Sequence, residues 1–131
     1  RATRCAAKEG YVPGGGVALL RTQDAIVAAR KKAKGDEQIG FDIVSRAVEA
    51  CCKQIAENAG YDGDLVVEKV KEGGKGGTSY GFNAATGEYT DLVKAGILDA
   101  ALVAKTALTN AASVAGLMLT TDVLITDLKD E

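Results

Sequence analysis

The chain has 131 residues, of which 47% are hydrophobic and 26% are charged, and its formal net charge is −2. That length is sufficient for one domain with a hydrophobic core and too short for two domains of ordinary size. The charge balance gives no long-range attraction to nucleic acid or to an anionic membrane, so neither is expected as a partner. Aromatic residues make up only 5% of the chain, so the core must be assembled from Ala, Val, Leu and Ile, as in close-packed helices.

The cysteine and histidine content limits the kinds of metal site and catalytic site that the chain can form. There are three cysteines and no histidine, which leaves too few ligands for a structural metal site and removes Ser-His and Cys-His nucleophilic pairs. Cys51 and Cys52 are adjacent on a predicted helix and Cys5 stands alone, so we expect reduced thiols that fill the core. An enzyme acting in its own right has no support, because no nucleophile stands with a base.

The sequence predicts no membrane-spanning segment. No apolar signal region is visible at the N-terminus, and the longest uncharged run, Thr106 to Thr121, has 16 residues that include four Thr, one Ser and one Asn. That run is too short and too polar to cross a bilayer. A buried helix is the better interpretation.

Three successive glycines, Gly14 to Gly16, follow Pro13 and lead into an apolar, helix-forming segment. Glycine takes positive φ without steric cost, so this turn can present bare backbone to a phosphate or ribose oxygen at a helix start. A tight interhelical turn is the alternative, and the pattern matches neither the P-loop nor the dinucleotide fingerprint. Before the turn, residues 1–9 are compatible with a helix that Gly10 would cap.

The next two predicted helices have clear periodicity. The first runs from about Gly16 to Lys34 and is ended by Gly35. The second is capped by Asp36 and ends at Gly60. Its apolar residues recur at every fourth position, at Ile39, Ile43, Ala47, Cys51 and Ile55, and they are flanked by Val44, Val48, Cys52 and Ala56.

A shorter helix and a hairpin follow. Asp64 opens a helix that reaches about Glu72. The glycine-rich run from Gly73 to Gly77 is a loop with positions free to take positive φ, and no helix follows it that would favour a phosphate cradle. Ser79 to Asn83 and Glu88 to Thr90 are two short strands joined by a turn of small residues.

The last third of the chain is dominated by one long helix. Asp99 stands where an N-cap belongs, ahead of a helix from Ala100 to about Thr121. Ala111 to Leu119 is apolar nearly all round, so this helix is predicted to be the central and most buried one. Val123 to Thr126 is a terminal strand with no obvious partner. The chain is therefore predicted to be mainly α, a helical bundle with a small β-hairpin and a C-terminal strand.

Several short segments stand in a specific order along the chain. They are Val12-Pro13-Gly14-Gly15-Gly16, Gly81-Phe82-Asn83-Ala84-Ala85-Thr86, Gly96-Ile97-Leu98-Asp99, Ala111-Ala112-Ser113-Val114-Ala115-Gly116-Leu117 and Thr120-Thr121. In this order they closely resemble the C-terminal half of the equatorial domain of a group I chaperonin, the Hsp60 or GroEL family. The resemblance implies that residues 1–131 are that half-domain, with residues 1–10 as the end of a helix leading in from the intermediate domain.

In that family the equatorial domain is mostly helical, binds ATP and makes most of the contacts within and between two stacked seven-membered rings. The resemblance therefore implies an ATP-dependent chaperonin that assists protein folding and assembles with other chaperonin segments and subunits. It also implies a bacterial cytoplasm or an organelle matrix as the location.

The resemblance assigns two residues to the sugar side of the nucleotide. Gly15 would bring its backbone to the sugar and phosphate side. Asp99 would accept hydrogen bonds from the ribose hydroxyls, for which a carboxylate is a good bidentate acceptor. A plain helix cap is the alternative role for Asp99.

Four further residues are assigned to the base. Asn83, Ala84 and Ala85 would line the adenine, and Ile97 would pack on its face. Small alanine side chains let a flat base approach the backbone. A turn residue tolerant of positive φ is the alternative role for Asn83, and the two roles are compatible.

The resemblance covers only part of the family's nucleotide site. The phosphate-gripping Gly-Asp-Gly-Thr-Thr motif, the Mg-binding Asp and the apical domain are not in this sequence, and the catalytic Asp would lie a few residues before Arg1. No catalytic residue or metal ligand is expected here, because the Mg²⁺ and K⁺ that accompany ATP would be held elsewhere. The family is an ATPase, but this chain alone is predicted to be inactive. Co-chaperonin and unfolded clients would be bound only by the missing domains.

A different class of function is the alternative. The chain would then be a self-contained helical module that oligomerises through its apolar helices and has no nucleotide function.

Overall fold

A computed structural model describes residues 7–76 and 79–120. Its helices are α1 (Val17–Leu20), α2 (Gln23–Arg30), α3 (Asp36–Ala47), α4 (Ala50–Asn58), α5 (Gly63–Glu72) and α6 (Ala101–Thr120). Its strands are β1 (Tyr11–Pro13), β2 (Tyr80–Asn83), β3 (Glu88–Asp91) and β4 (Leu98–Ala100). The predicted mainly α fold is confirmed. The predicted C-terminal strand, like Cys5, lies outside the described residues.

The predicted hairpin is confirmed as the antiparallel pair β2 and β3. Its register places Tyr80 opposite Asp91 and Asn83 opposite Glu88. The turn closes where the Gly87 N–H donates to the Asn83 carbonyl at 2.8 Å. Gly87 takes a φ of 76°, a backbone conformation that favours glycine.

The structure adds a second antiparallel pair, β1 with β4, that the sequence did not predict. Val12 lies opposite Asp99, so the predicted N-cap role of Asp99 is wrong. The extended backbone of Asp99 belongs to β4, and α6 begins two residues later, where the Ala101 N–H donates to the Gly10 carbonyl at 3.1 Å. Strands of three residues are too short to show an alternating pattern.

Two other predicted caps are displaced by one or two residues. Gly35 is the N-cap of α3, with φ 62° and ψ −131°, and Asp36 is its first helical residue. Asp62 caps α5 by accepting hydrogen bonds from the N–H groups of Asp64 and Leu65. Acidic side chains are stabilised anywhere in the first turn by the helix dipole, so their position alone does not identify the cap.

The first predicted helix is divided into α1 and α2. The Thr22 hydroxyl donates to the Leu19 carbonyl at 2.6 Å, and the Thr22 N–H donates to the same oxygen at 3.1 Å. This local bonding competes with the regular helical pattern and breaks the helix after Leu20. The second of these helices, α2, ends at Arg30, whereas the sequence predicted a helix end at about Lys34.

The predicted apolar face of the next helix is buried along its flank and not along its central stripe. The helix is divided into α3 and α4, and the side chains buried along it are Val48, Cys52 and Ala56. Ile39 and Ile43, which belong to the predicted stripe, are 58% and 61% exposed. Both sets recur at every fourth position, so periodicity cannot choose between them, whereas the packing of α4 on α5 and α1 does.

The core lies between α1, α4, α5 and the hairpin. It consists of Val17, Leu20, Cys52, Ala56, Val66, Val67, Val70, Phe82 and Leu92. No described residue of α6 belongs to this cluster, and residues 105–117 are exposed, so the prediction that α6 is the most buried helix is wrong. Apolar side chains of α6 are exposed instead, with Val103 at 50% and Val114 at 56%. None of the described helices has both the length and the apolar character needed to cross a bilayer.

Glu49 joins three helices through its side chain. It lies at the start of α4 and accepts hydrogen bonds from Lys71 of α5 and Gln23 of α2, each at 2.6 Å. Partial burial by itself would raise the pKa of Glu49, but the hydrogen bonds from Lys71 and Gln23 outweigh that cost, so the pKa is lowered. This contact therefore favours the folded state when Glu49 is ionised.

Substituting Leu92 tests the position of the core. Leu92 is fully buried, so Leu92→Ala should lower the free energy of unfolding by about 2–5 kcal/mol in a urea titration. Leu65→Ala is the matched control, because Leu65 is 52% exposed and the same truncation there should cost less than about 1 kcal/mol. Equal losses for the two variants would contradict this placement of the core.

The lowered pKa of Glu49 gives a pH dependence. The unfolded carboxylate takes up its proton first as the pH falls, so the stabilisation is complete above the ordinary pKa of 4.5 and is lost as the pH falls through the lower folded value. Glu49→Gln should flatten this part of the stability profile between about pH 5 and 3. Glu88→Gln, on the exposed hairpin, should leave the profile unchanged. Identical acid profiles for native chain and Glu49→Gln would exclude the effect.

Candidate functional site

The glycine turn from Gly14 to Gly16 joins β1 to α1 and packs tightly against two other segments. The Gly14 N–H donates to the Ile97 carbonyl at 2.9 Å. A Cβ atom at Gly14 would lie 2.9 Å from Ile97 Cγ2, and one at Gly16 would lie 2.5 Å from the Cys52 backbone nitrogen. Real Cβ atoms do not come so close to such neighbours, so these two positions require glycine for packing alone.

Gly15 lies at the centre of this turn. It has a φ of 66°, and a Cβ atom there would lie 3.1 Å from Leu92 Cδ1 and 3.5 Å from the Phe82 carbonyl oxygen. Gly15 is therefore in contact with β2 as well as with the turn that follows β3. In the described part of the chain, the N–H groups of Gly15 and Gly16 donate no hydrogen bond. They remain available to an acceptor from outside.

Asn83, Ala84 and Ala85 form the end of β2 and the start of the hairpin turn. The Asn83 side-chain oxygen accepts a hydrogen bond from the Ala85 N–H at 3.1 Å, which fixes the side chain at the turn. Asn83 does not take positive φ, since only glycines do so among the described residues. Ala84 packs on the edge of the core and Ala85 is exposed.

Ile97 directly precedes β4 and Asp99 lies within it, and β4 pairs with β1 next to the glycine turn. Ile97 is half-buried and packs against the core. Asp99 is exposed, and its carboxylate makes no hydrogen bond or ion pair with any residue that the structure describes. It borders a cavity of about 260 Å³ together with Gly16 and Cys51. A free carboxylate beside free backbone N–H groups can bind a polar ligand that carries both donors and acceptors.

The two cysteines next to this cavity differ in environment. Cys52 is buried, as predicted, and burial raises the pKa of its thiol, which keeps it protonated. Cys51 is exposed at the cavity wall, so the prediction that it fills the core is wrong. Successive positions on a helix point in directions about 100° apart, so one helix cannot bury both thiols equally.

The structure brings most of the predicted site residues onto neighbouring segments. Ile97 contacts the glycine turn directly, and Asp99 follows two residues later on the strand that pairs with β1. Asn83 follows Phe82, whose carbonyl faces Gly15. The closest link between the hairpin and the glycine turn is therefore the approach of Gly15 to the Phe82 carbonyl of β2.

Arg21 is a residue with contacts to two other elements that the sequence did not predict. It ends α1, and its guanidinium donates hydrogen bonds to main-chain carbonyls of α5 and β2. The available signal was a lone basic residue directly after the apolar segment Val17 to Leu20. A basic residue at the C-terminal end of a helix is ordinarily solvated and interacts favourably with the helix dipole. Its position alone therefore does not indicate a further role.

The described residues include no group of three or more acidic, cysteine or histidine side chains that could hold a metal ion. The features open to a ligand are the unpaired carboxylate of Asp99 and the N–H groups of Gly15 and Gly16, because the side of Gly15 where a Cβ atom would point is already occupied by Leu92.

Comparison with known proteins identifies the class. The sequence model of the TCP-1/cpn60 chaperonin family matches residues 1–129. The chain therefore belongs to this family. It is a chaperonin sequence, of the class that assists protein folding, and membership implies assembly with other subunits.

Proposed function

We propose that the chain is the C-terminal half of the equatorial domain of a group I chaperonin, of the Hsp60 or GroEL type, and that it supplies the adenine and ribose side of an ATP site. One observation carries the proposal: the unpaired carboxylate of Asp99 lies on the strand paired with β1, next to the glycine turn with its free N–H groups. A ribose diol needs such an acceptor, and the sugar-phosphate side of a nucleotide needs such donors.

The base side rests on the hairpin turn and Ile97. Ala84 and Ala85 leave room for a planar ring, and the Asn83 amide is fixed by its bond to the Ala85 N–H. The half-buried Ile97 offers an apolar surface to one face of the ring. We infer that one nucleoside contacts both sides, since Gly15 approaches the Phe82 carbonyl of β2 and Gly14 contacts Ile97, which leads into β4.

The phosphates and their metal ions would be held by parts of the chaperonin that this sequence does not contain. ATP supplies the energy of the folding cycle when it is bound. The residues of this chain bind and orient the nucleoside and exclude water from it. Partners would be the remaining equatorial segment, neighbouring subunits in seven-membered rings, and co-chaperonin and clients through other domains, in a bacterial cytoplasm or an organelle matrix.

A second candidate function has an observation in its favour. Cavities of about 390 and 580 Å³ separate α6 from α2 and α3, and their walls are almost wholly apolar, with Ile26, Phe41 and Val44 in both. A helical module that oligomerises through this face, without nucleotide function, would close them. In the chaperonin the same face would serve contacts between segments or subunits, so the two functions differ only in whether nucleotide binds.

The isolated chain should not hydrolyse ATP, because it holds only the nucleoside side of the proposed site. Colorimetric phosphate release with Mg²⁺ and K⁺ present should equal the buffer blank, and calorimetry should show weak ATP binding or none. Mg²⁺-dependent turnover by this polypeptide alone would contradict the proposal. The oligomerisation alternative predicts a discrete assembly in light scattering that ATP leaves unchanged, both alone and beside the missing segments.

Asp99→Ala in the full-length subunit tests the ribose contact. Loss of hydrogen bonds to a charged acceptor costs about 1.5–3 kcal/mol, so the Kd for ATP should rise roughly 10- to 100-fold. The Kd for 2′,3′-dideoxy-ATP should not change, because that nucleotide has no hydroxyls to lose. Asp24→Ala, an exposed carboxylate in the first turn of α2, is the matched control. Equal Kd values for ATP in native protein and Asp99→Ala would exclude the proposed ribose contact.

A further inference from the structure

The guanidinium of Arg21 ties three elements together. One terminal nitrogen donates to the Val70 carbonyl of α5 at 3.0 Å and to the Tyr80 carbonyl of β2 at 2.8 Å. The main-chain N–H of Arg21 donates to the Val17 carbonyl at 2.9 Å, which fixes the residue at the end of α1. The side chain thus connects α1 to the last turn of α5 and to the first residue of β2.

The glycine-rich segment after α5 is shaped around the same side chain. A Cβ atom at Gly74 would lie 2.6 Å from the other terminal nitrogen of Arg21, and one at Gly73 would fall within the Tyr80 ring. The segment is a 3₁₀ turn from Gly73 to Gly76, and the φ of Gly73 is −71°, so positive φ is not the reason for glycine there. Absence of a side chain is the reason.

Arg21 is held without a counter-ion. It is half-buried and makes no ion pair with any described residue, and its Nε is buried without a hydrogen-bond partner. A half-buried cation with an unpaired donor is unfavourable compared with an apolar side chain of similar volume. An apolar side chain could not form the two hydrogen bonds by which the guanidinium fixes the first residue of β2 relative to α1.

The other end of the same two elements is the candidate nucleoside site. α1 follows the glycine turn and ends at Arg21, while β2 begins at Tyr80 and ends at Asn83. Between these ends the elements are in close contact, because a Cβ atom at Gly81 would lie 2.5 Å from Val17 Cγ2. A shift of β2 at Tyr80 is therefore transmitted to Asn83 and to the Phe82 carbonyl that faces Gly15.

We propose that Arg21 is a positioning residue of the nucleoside site, which holds the base-lining turn at Asn83 in register with the sugar-binding turn at Gly15. The inference rests on the proposed function. Arg21 does not touch the nucleotide. It acts by fastening β2 to α1 at the ends remote from the site.

The experiment compares Arg21→Met, Arg21→Lys and Arg30→Met in the full-length subunit. Arg30 is the matched control, because it is an arginine at the end of α2 whose ion pair with Asp42 is exposed. Steady-state hydrolysis of ATP and GTP gives KM and kcat for each variant, and thermal unfolding gives stability. Base recognition is reported by the ratio of the two KM values, which a purely structural role would not change.

Arg21→Met should raise the KM for ATP about tenfold, which corresponds to a loss of about 1.4 kcal/mol of contact with the displaced turn, with little change in kcat. The KM for GTP should rise less, so the preference for ATP falls. Arg21→Lys keeps a donor for the two carbonyls and should recover part of the preference for ATP. If Arg21→Met does not assemble, the same ratio of KM values is measured in Arg21→Lys. Arg30→Met should match the native protein.

A fall in melting temperature with an unchanged ratio of KM values in Arg21→Met and Arg21→Lys would overturn the inference. Asp99→Ala, measured in parallel, distinguishes a failure of the proposed function from a failure of the proposed role of Arg21. If Asp99→Ala weakens ATP binding while both Arg21 variants keep the native ratio, only the role of Arg21 is wrong. If Asp99→Ala also has no effect, the proposed function is wrong, and the role of Arg21 is wrong with it.

Discussion

The close approach of the Gly14 to Gly16 backbone to its neighbours is the constraint on which the structure depends. Ile97, Leu92 and Cys52 occupy the space that three successive Cβ atoms would need. Their contacts bring the glycine turn against α4 and against the segment from Leu92 to Ile97, three parts of the chain that are far apart in sequence. The free energy for this arrangement comes mainly from the apolar core beneath it. The glycines determine how near the backbone segments can lie.

In the same turn, the N–H groups of Gly15 and Gly16 donate no hydrogen bond to the described part of the chain. The packing that requires glycine and the surface that suits a ligand are thus two sides of one turn. The polar contacts around it have separate tasks. Glu49 holds the helices together, Arg21 fastens the hairpin, and Asp99, next to the turn, has a carboxylate with no partner among the described residues. That division is why we assign binding to Asp99 and positioning to Arg21.

Local patterns in the sequence predicted the hairpin and the helix that ends at Glu72, because turn residues and caps act over a few positions. Long-range choices were not predictable. The Ile39 stripe and the Val48 stripe have the same period, and only packing on α5 selects one. The exposure of α6 reflects the elements that surround it, which its own apolar composition does not reveal. Family resemblance placed Gly15, Ile97 and Asp99 near one another, but their roles toward a nucleotide stay a prediction.

The central claim is that one nucleoside is bound between the glycine turn, the hairpin turn and Asp99. A structure of the full-length subunit with bound ATP tests it most directly. The account predicts both ribose hydroxyls within hydrogen-bond distance of the Asp99 carboxylate and the adenine against Ala84 and Ala85, with Ile97 on its face. A nucleotide bound elsewhere, with Asp99 facing solvent and the hairpin turn empty, would contradict it.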